Sequence, residues 1–172
     1  DNKTLSEIST YLIDNGIPVI SSEALLLTQS NVVMMMVSLL QYLIDGTDRV
    51  AAAKVLMYLR HIGKLKRDYA RDFAASKTAV DLDEIVAREG LELNCSVLRS
   101  LGLYDCCEEA LRMLHIQDVE TAYTASWLDV AAYYANNYRY DLREFLDWFE
   151  QQKKNLSTNM ASDLDAINAA LE

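Results

Sequence analysis

The sequence almost lacks the residues that interrupt helices. Its 172 residues include one proline and five glycines. Because these two residue types mark the turns between short strands, a many-stranded sheet is disfavoured. Between the glycines, apolar side chains recur at three- and four-residue spacing, which is typical of amphipathic helices. The chain is therefore predicted to be mainly α-helical.

Capping residues and turn residues divide the chain into helical stretches. Ser30 is a predicted N-cap, and the turn sequence DGTD at 45–48 separates two strong apolar stripes. The predicted helices cover residues 4–15, 22–27, 31–44, 49–61, 64–76, 81–90, 96–100, 105–114, 120–136 and 140–154. Residues 17–20, which contain Pro18, are the best strand candidate. The predicted fold is a multi-helix domain with a short α/β remnant, one helix and one strand, at its N-terminus.

Composition and charge exclude several classes of protein. Hydrophobic residues make up 51% of the chain, which is enough for a buried core, and the net charge is −10. An autonomous, high-affinity nucleic-acid module is normally basic, so this balance argues against one. No apolar run approaches the ~18 residues that a membrane span requires. The polar N-terminus does not resemble a secretory signal, so a cytoplasmic location is expected.

The chain ends also carry information. Residues 169–172, with the sequence AALE, resemble a vector-derived tail, and residue 1 is not methionine. We therefore expect a piece of a longer protein and exclude the last four residues from fold prediction.

No pattern of catalytic or metal-binding residues is present. The three cysteines are Cys95, Cys106 and Cys107, and their spacing suits neither a disulfide framework nor a tetrahedral zinc site. Neither His61 nor His115 has a partner at metal-ligand spacing. Phosphate-binding loops, HExxH and GxSxG motifs are also missing. The sequence predicts no catalytic residue, no metal ligand and no cofactor for this chain, and it favours a reducing compartment.

One segment reverses the overall charge. Residues 49–77 hold eight basic and two acidic residues, a net charge of +6, so the rest of the chain carries −16. Such a stripe can contact phosphates, although a solvated helix face is the alternative interpretation. The candidate DNA contacts are Lys54, Arg60, Lys64, Lys66, Arg67 and Arg71. A second candidate surface is an aromatic set that packs in a core or stacks on unpaired bases: Tyr123, Trp127, Tyr133, Tyr134, Tyr138 and Tyr140.

Several stretches resemble one enzyme family. Residues 11–27, YLIDNGIPVISSEALLL, and their continuation at 30–46, which ends in SLLQYLIDG, are similar to a segment of superfamily 1A DNA helicases of the UvrD/Rep type, closest to the RecB/AddA branch of exonuclease V-like enzymes. Gly16, Ile17 and Pro18 are the positions that match the family motif. Near the other end, residues 142–150, LREFLDWFE, resemble the helix before helicase motif V. Residues 165–168, DAIN, resemble the lead-in to that motif.

The resemblance implies a domain layout and a role. Residues 1–21 would be a remnant of the second RecA-like domain, 22–154 a helical 2B-type insertion and 155–168 a loose lead-in to the next motif. In that family the insertion contacts duplex DNA and regulates unwinding, while ATP and magnesium belong to the parent enzyme. The implied partners are duplex DNA, bound weakly in isolation, the remaining helicase domains and a partner subunit. The alternative hypothesis is a helical protein–protein interaction module with no nucleic-acid role.

Overall fold

The fold is organised around one buried helix. The structure, a computed structural model, describes residues 26–78, 81–139 and 141–171. Its helices are α1 (Asn31–Ile44), α2 (Arg49–His61), α3 (Tyr69–Ala75), α4 (Leu82–Ala87), α5 (Cys95–Ser100), α6 (Leu103–Met113), α7 (Thr121–Asn137) and α8 (Leu142–Leu171). Within these ranges no strand occurs, so the predicted mainly α class is confirmed there. The predicted strand at 17–20, the helix at 4–15 and the motif positions Gly16, Ile17 and Pro18 lie outside the described residues.

Helix α1 is buried around most of its circumference, and α2, α5, α7 and α8 pack against it. Ten of its fourteen residues are buried. The tight turn at 45–48 returns the chain along α1 as α2, whose apolar stripe packs against it. Helices α7 and α8 pack against α1 as well, and their aromatic side chains meet beside it. The Trp127 ring lies 5.6 Å from that of Phe145 and 5.3 Å from that of Phe149, both edge-on.

Residues distant in the sequence satisfy both ends of α1. At the N-terminus the Ser30 hydroxyl accepts a hydrogen bond from the Val33 amide (3.1 Å) and donates one to the Glu120 carboxylate (3.0 Å). The same carboxylate accepts from the amides of Asn31 (3.2 Å) and Val32 (2.9 Å).

At the C-terminus, Arg99 Nε donates to the Leu43 carbonyl at 2.9 Å. A carboxylate at the first turn and a guanidinium at the last both oppose the helix dipole. The helix is thus capped electrostatically at each end by a different part of the chain.

Two predicted boundaries differ from the structure by five residues or more. The predicted helix over 64–76 forms only over Tyr69–Ala75, because Gly63 adopts a φ of +88° and Asp68 then caps a new helix start through the Arg71 amide. The sequence predicts that the last helix ends at residue 154, before a loose stretch at 155–168. Instead α8 continues to Leu171. After Gly102 the sequence has neither glycine nor proline, and apolar residues at helical spacing continue as Leu164, Ile167 and Leu171.

We expect Glu120→Ala to lower the free energy of unfolding by roughly 1–3 kcal/mol, because it leaves the half-buried amides of Asn31 and Val32 without their acceptor. Urea unfolding followed by circular dichroism measures the change. Glu92→Gln, which removes an exposed carboxylate from a loop, is the control and should change little. Glu120→Gln keeps an acceptor oxygen and should fall between wild type and Glu120→Ala. A loss no larger than that of the control would contradict the proposed cap.

Candidate functional site

The six predicted DNA-contact residues lie on one helix–loop–helix unit. Lys54 is in the middle of α2 and Arg60 in its last turn. Lys64, Lys66 and Arg67 follow in the loop, and Arg71 is on α3. All are solvent-exposed except Lys64, which is half-buried. The structure therefore places the candidates along one continuous segment, which we call the α2–α3 unit (residues 49–77).

Two of the six candidates have carboxylate partners within the unit. Arg60 lies 3.6 Å from the Asp68 carboxylate. Arg67 makes 2.6 Å contacts with Asp72 through both Nε and a terminal nitrogen. The Arg67 guanidinium also lies over the Tyr69 ring, at 5.5 Å from its centroid. Such exposed pairs contribute little stability, but they reduce the positive charge that Arg60 and Arg67 present to a ligand.

The other four candidates have no such partner. Within the described residues, no carboxylate lies at ion-pair distance from Lys54, Lys64, Lys66 or Arg71. Arg49, a further cation of the unit, is used structurally. It donates to the carbonyls of Phe73 (3.2 Å) and Ser76 and lies over the Phe73 ring at 5.1 Å, which ties α2 to α3. Of the six predicted DNA contacts, these four therefore keep a positive charge that no described carboxylate offsets.

Acidic residues border the unit on the side of α4. A surface cavity of about 210 Å³ there is lined by both signs of charge, including Arg67, Asp72, Asp81, Glu84 and Arg88. Arg88 is itself paired with Glu84 at 3.3 Å. Lys54, Lys64, Lys66 and Arg71 do not line this cavity. A polyanion approaching from this side meets carboxylates, so phosphate contacts are favoured away from the cavity.

An apolar groove lies between α2 and α3 and was not predicted from the sequence. It has a volume of about 430 Å³, and its lining is mostly apolar: Val50, Ala53, Met57, Ala70, Phe73 and Ala74, with Arg49 and Lys54 among the lining residues. Val50 is 64% exposed, the most exposed large apolar residue of α2. The sequence signal was present, because Val50, Ala53 and Met57 follow the i, i+3, i+7 spacing of a second apolar face on α2.

The aromatic set is largely part of the core. Trp127 and Tyr134 are buried, which confirms core packing for these two residues. Tyr133 and Tyr138 are exposed, but each is packed on a neighbouring ring: Tyr133 stacks on Trp148 at 6.1 Å, and Tyr138 on Tyr134 at 4.9 Å. Bases could stack here only by displacing these contacts. Tyr140 lies outside the described residues.

The cysteines are buried and held as thiols. Burial raises the pKa of Cys106 to about 11, and it raises those of Cys95 and Cys107 further. The Asp83 carboxylate adds to the effect at Cys95. At Cys107 the Trp127 indole, whose N–H has no hydrogen bond of normal geometry, partly opposes the rise. None of the three has the lowered pKa of a nucleophile or the deprotonated form of a metal ligand.

The described part of the chain contains no cluster of three or more histidine, cysteine, aspartate or glutamate residues able to hold a metal ion. Among its helices, none combines the length and apolarity needed to cross a membrane. Comparison with protein-family models, with curated proteins and with solved structures finds no match.

The raised pKa values predict the reactivity of the thiols. In the native protein at about pH 8, iodoacetamide should alkylate all three cysteines far more slowly than a free thiol of pKa ~8.5, because burial disfavours the thiolate and blocks access. Mass spectrometry of time points gives the number of modified residues. The same reaction in denaturant is the control and should modify all three. Rapid labelling of any cysteine in the native protein would contradict this burial.

Proposed function

We propose that this chain is a non-catalytic helical module that engages duplex DNA through the α2–α3 unit. The observation that carries the proposal is a group of four candidate cations on that unit that have no ion-pair partner among the described residues: Lys54, Lys64, Lys66 and Arg71. Lysine and arginine that neutralise phosphates release counterions, and this supplies sequence-independent affinity for DNA. The proposed contact is with the backbone and carries no sequence preference.

The charge distribution limits the strength of binding. The residues outside the unit carry a net charge of −16, which repels a polyanion at long range. Screening by salt weakens both this repulsion and the local attraction, and the short-range phosphate contacts decide whether a complex forms. The isolated chain should therefore bind duplex DNA weakly and only at low ionic strength.

The resemblance to RecB/AddA-type helicases supports a particular context for such a module. In that context the chain is the 2B-type insertion of an ATP-dependent DNA helicase or exonuclease acting in DNA recombination and repair. ATP and magnesium would be bound by the parent's own motor domains, and the module would contact duplex DNA and regulate unwinding. The proposed partners are the other helicase domains and a partner subunit, in the cytoplasm.

A helical protein–protein interaction module is the second candidate. The apolar groove between α2 and α3 favours it, since grooves of this kind accept the apolar face of a helix. An interaction module without a nucleic-acid role would be expected to lack a basic face beside its groove. Here Lys54 lines the groove on the same unit as the other cations, so a protein ligand and DNA would meet neighbouring surfaces.

Charge reversal tests the DNA proposal. The triple variant Lys64→Glu/Lys66→Glu/Arg71→Glu should bind a fluorescent DNA duplex at least tenfold more weakly than wild type. Fluorescence anisotropy at low salt measures the affinity. The slope of log affinity against log salt is negative, and each lost phosphate contact should reduce its magnitude by about 0.9. The matched control, Arg139→Glu/Arg143→Glu/Lys154→Glu, makes the same change in net charge at exposed sites outside the unit. It should weaken binding much less.

Equal losses in the two triple variants would mean that only net charge matters and would contradict a defined contact surface. Failure of the wild-type chain to bind at low salt would contradict the DNA proposal itself. Circular dichroism of all three proteins confirms that the comparison is made between folded chains.

A further inference from the structure

The C-terminal half of α8 extends beyond the packed helices. Its first turns bury Phe145, Leu146 and Phe149, whereas residues 161–171 are exposed throughout. Leu164 is 58% exposed and Ile167 is 56% exposed, one turn apart on the same face. Leu171, which is 81% exposed, continues this face four residues further on. We call residues 161–168 the α8 tail.

The tail is acidic as well as apolar. Asp163 and Asp165 flank Leu164, and the tail contains no lysine or arginine. It therefore combines apolar anchors at i and i+3 with a net charge of −2. Helices that bind in grooves present anchors at this spacing.

The groove of the α2–α3 unit has the opposite character. Val50, Met57 and Phe73 supply apolar surface, while Arg49 and Lys54 supply positive charge at the same site. Lys54 has no ion-pair partner among the described residues. An occupant that buries apolar side chains and places carboxylates near Lys54 would match the groove in both respects.

We propose that the α8 tail of one copy of this chain docks in the α2–α3 groove of a second copy. Leu164 and Ile167 enter the apolar groove, and Asp163 and Asp165 lie near Lys54 and Arg49. The two surfaces are distinct, so the contact is head-to-tail and each chain offers one free groove and one free tail. Two chains can close such a contact by exchanging tails, or further chains can extend it.

Charge argues against the simplest alternative assembly. If two tails paired with each other, the four carboxylates of Asp163 and Asp165 would be brought together with no lysine or arginine on either tail to offset them. Docking in the groove instead places each pair of carboxylates beside cations. Head-to-tail contact is therefore favoured over tail-to-tail pairing.

The interface is small. Eight helical residues span only about 12 Å, so one contact falls below the roughly 1,200 Å² of buried area found in stable complexes. Association should accordingly be weak, concentration-dependent and sensitive to salt.

Analytical ultracentrifugation with complementary variants tests the arrangement. Val50→Asp/Lys54→Glu disables the groove, and Leu164→Ser/Ile167→Ser disables the tail. Val50, Lys54, Leu164 and Ile167 are all solvent-exposed, so the fold should survive these substitutions, and circular dichroism checks this. Wild type should self-associate as concentration rises, and each variant alone should remain monomeric. An equimolar mixture of the two variants should form a 1:1 complex and nothing larger, because it contains one intact tail and one intact groove.

Two controls sharpen the test. The first control, Val97→Asp/Lys154→Glu, makes the same two kinds of substitution outside the groove. Val97 is 42% exposed and Lys154 is exposed, so this variant should associate like wild type. Asp163→Lys/Asp165→Lys should abolish self-association. Mixed with Lys54→Glu, it should regain a complex, since the charges are exchanged.

Other results would overturn the proposal. A groove variant that still associates would indicate tail-to-tail pairing. A wild-type chain that stays monomeric to roughly 1 mM, where interfaces of this size associate, would leave the groove to a different acidic, apolar helix. Since the DNA test changes Lys64, Lys66 and Arg71, none of which lines the groove, failure of one proposal is distinguishable from failure of the other.

Discussion

The capping of α1 from distant parts of the chain is the constraint on which the rest of the structure depends. Because ten of the fourteen residues of α1 are buried, water has little access to its terminal amides and carbonyls, and protein groups must replace the solvent. Glu120 does this at the first turn and Arg99 at the last. Glu120 adopts a left-handed φ of 48° immediately before α7, and Arg99 belongs to α5. The start of α7 and the position of α5 are thereby fixed relative to the core helix.

This arrangement determines which surfaces remain available. Helix α2 turns its main apolar stripe, including Val55 and Leu59, toward α1. Its other face, with Val50 and Lys54, lines the groove, and the rest of the lining comes from the short helix α3. Arg49 holds α3 there through the Phe73 carbonyl and ring. The same packing that completes the core therefore produces a shallow apolar groove together with the cationic segment of an otherwise acidic chain.

Local signals in the sequence were enough to predict the fold class and the two central helices. The ranges of α1 and α2 agree with prediction because Ser30, Asp48 and the turn at 45–48 act within a few residues. Interactions between distant residues were not predictable. The Glu120 cap spans about 90 residues, and Arg99 reaches Leu43 across 56. For the candidate site, the cationic segment followed from composition. The pairing of Arg60 and Arg67 with Asp68 and Asp72 was not predictable, because it depends on the geometry of the folded unit. The groove was not predictable either, because it forms only when α3 folds back onto α2.

The position of Lys54 links the two proposed surfaces. If an α8 tail occupies the groove, the carboxylates of Asp163 and Asp165 lie beside Lys54 and compete with phosphate for its charge, whereas Lys64, Lys66 and Arg71 remain outside the groove. The competition is therefore partial. By thermodynamic linkage, DNA would weaken tail docking by the same factor as tail docking weakens DNA binding. A chain with an excess of acidic residues would in this way limit nonspecific DNA contact through the tail of a second copy, with no change in fold.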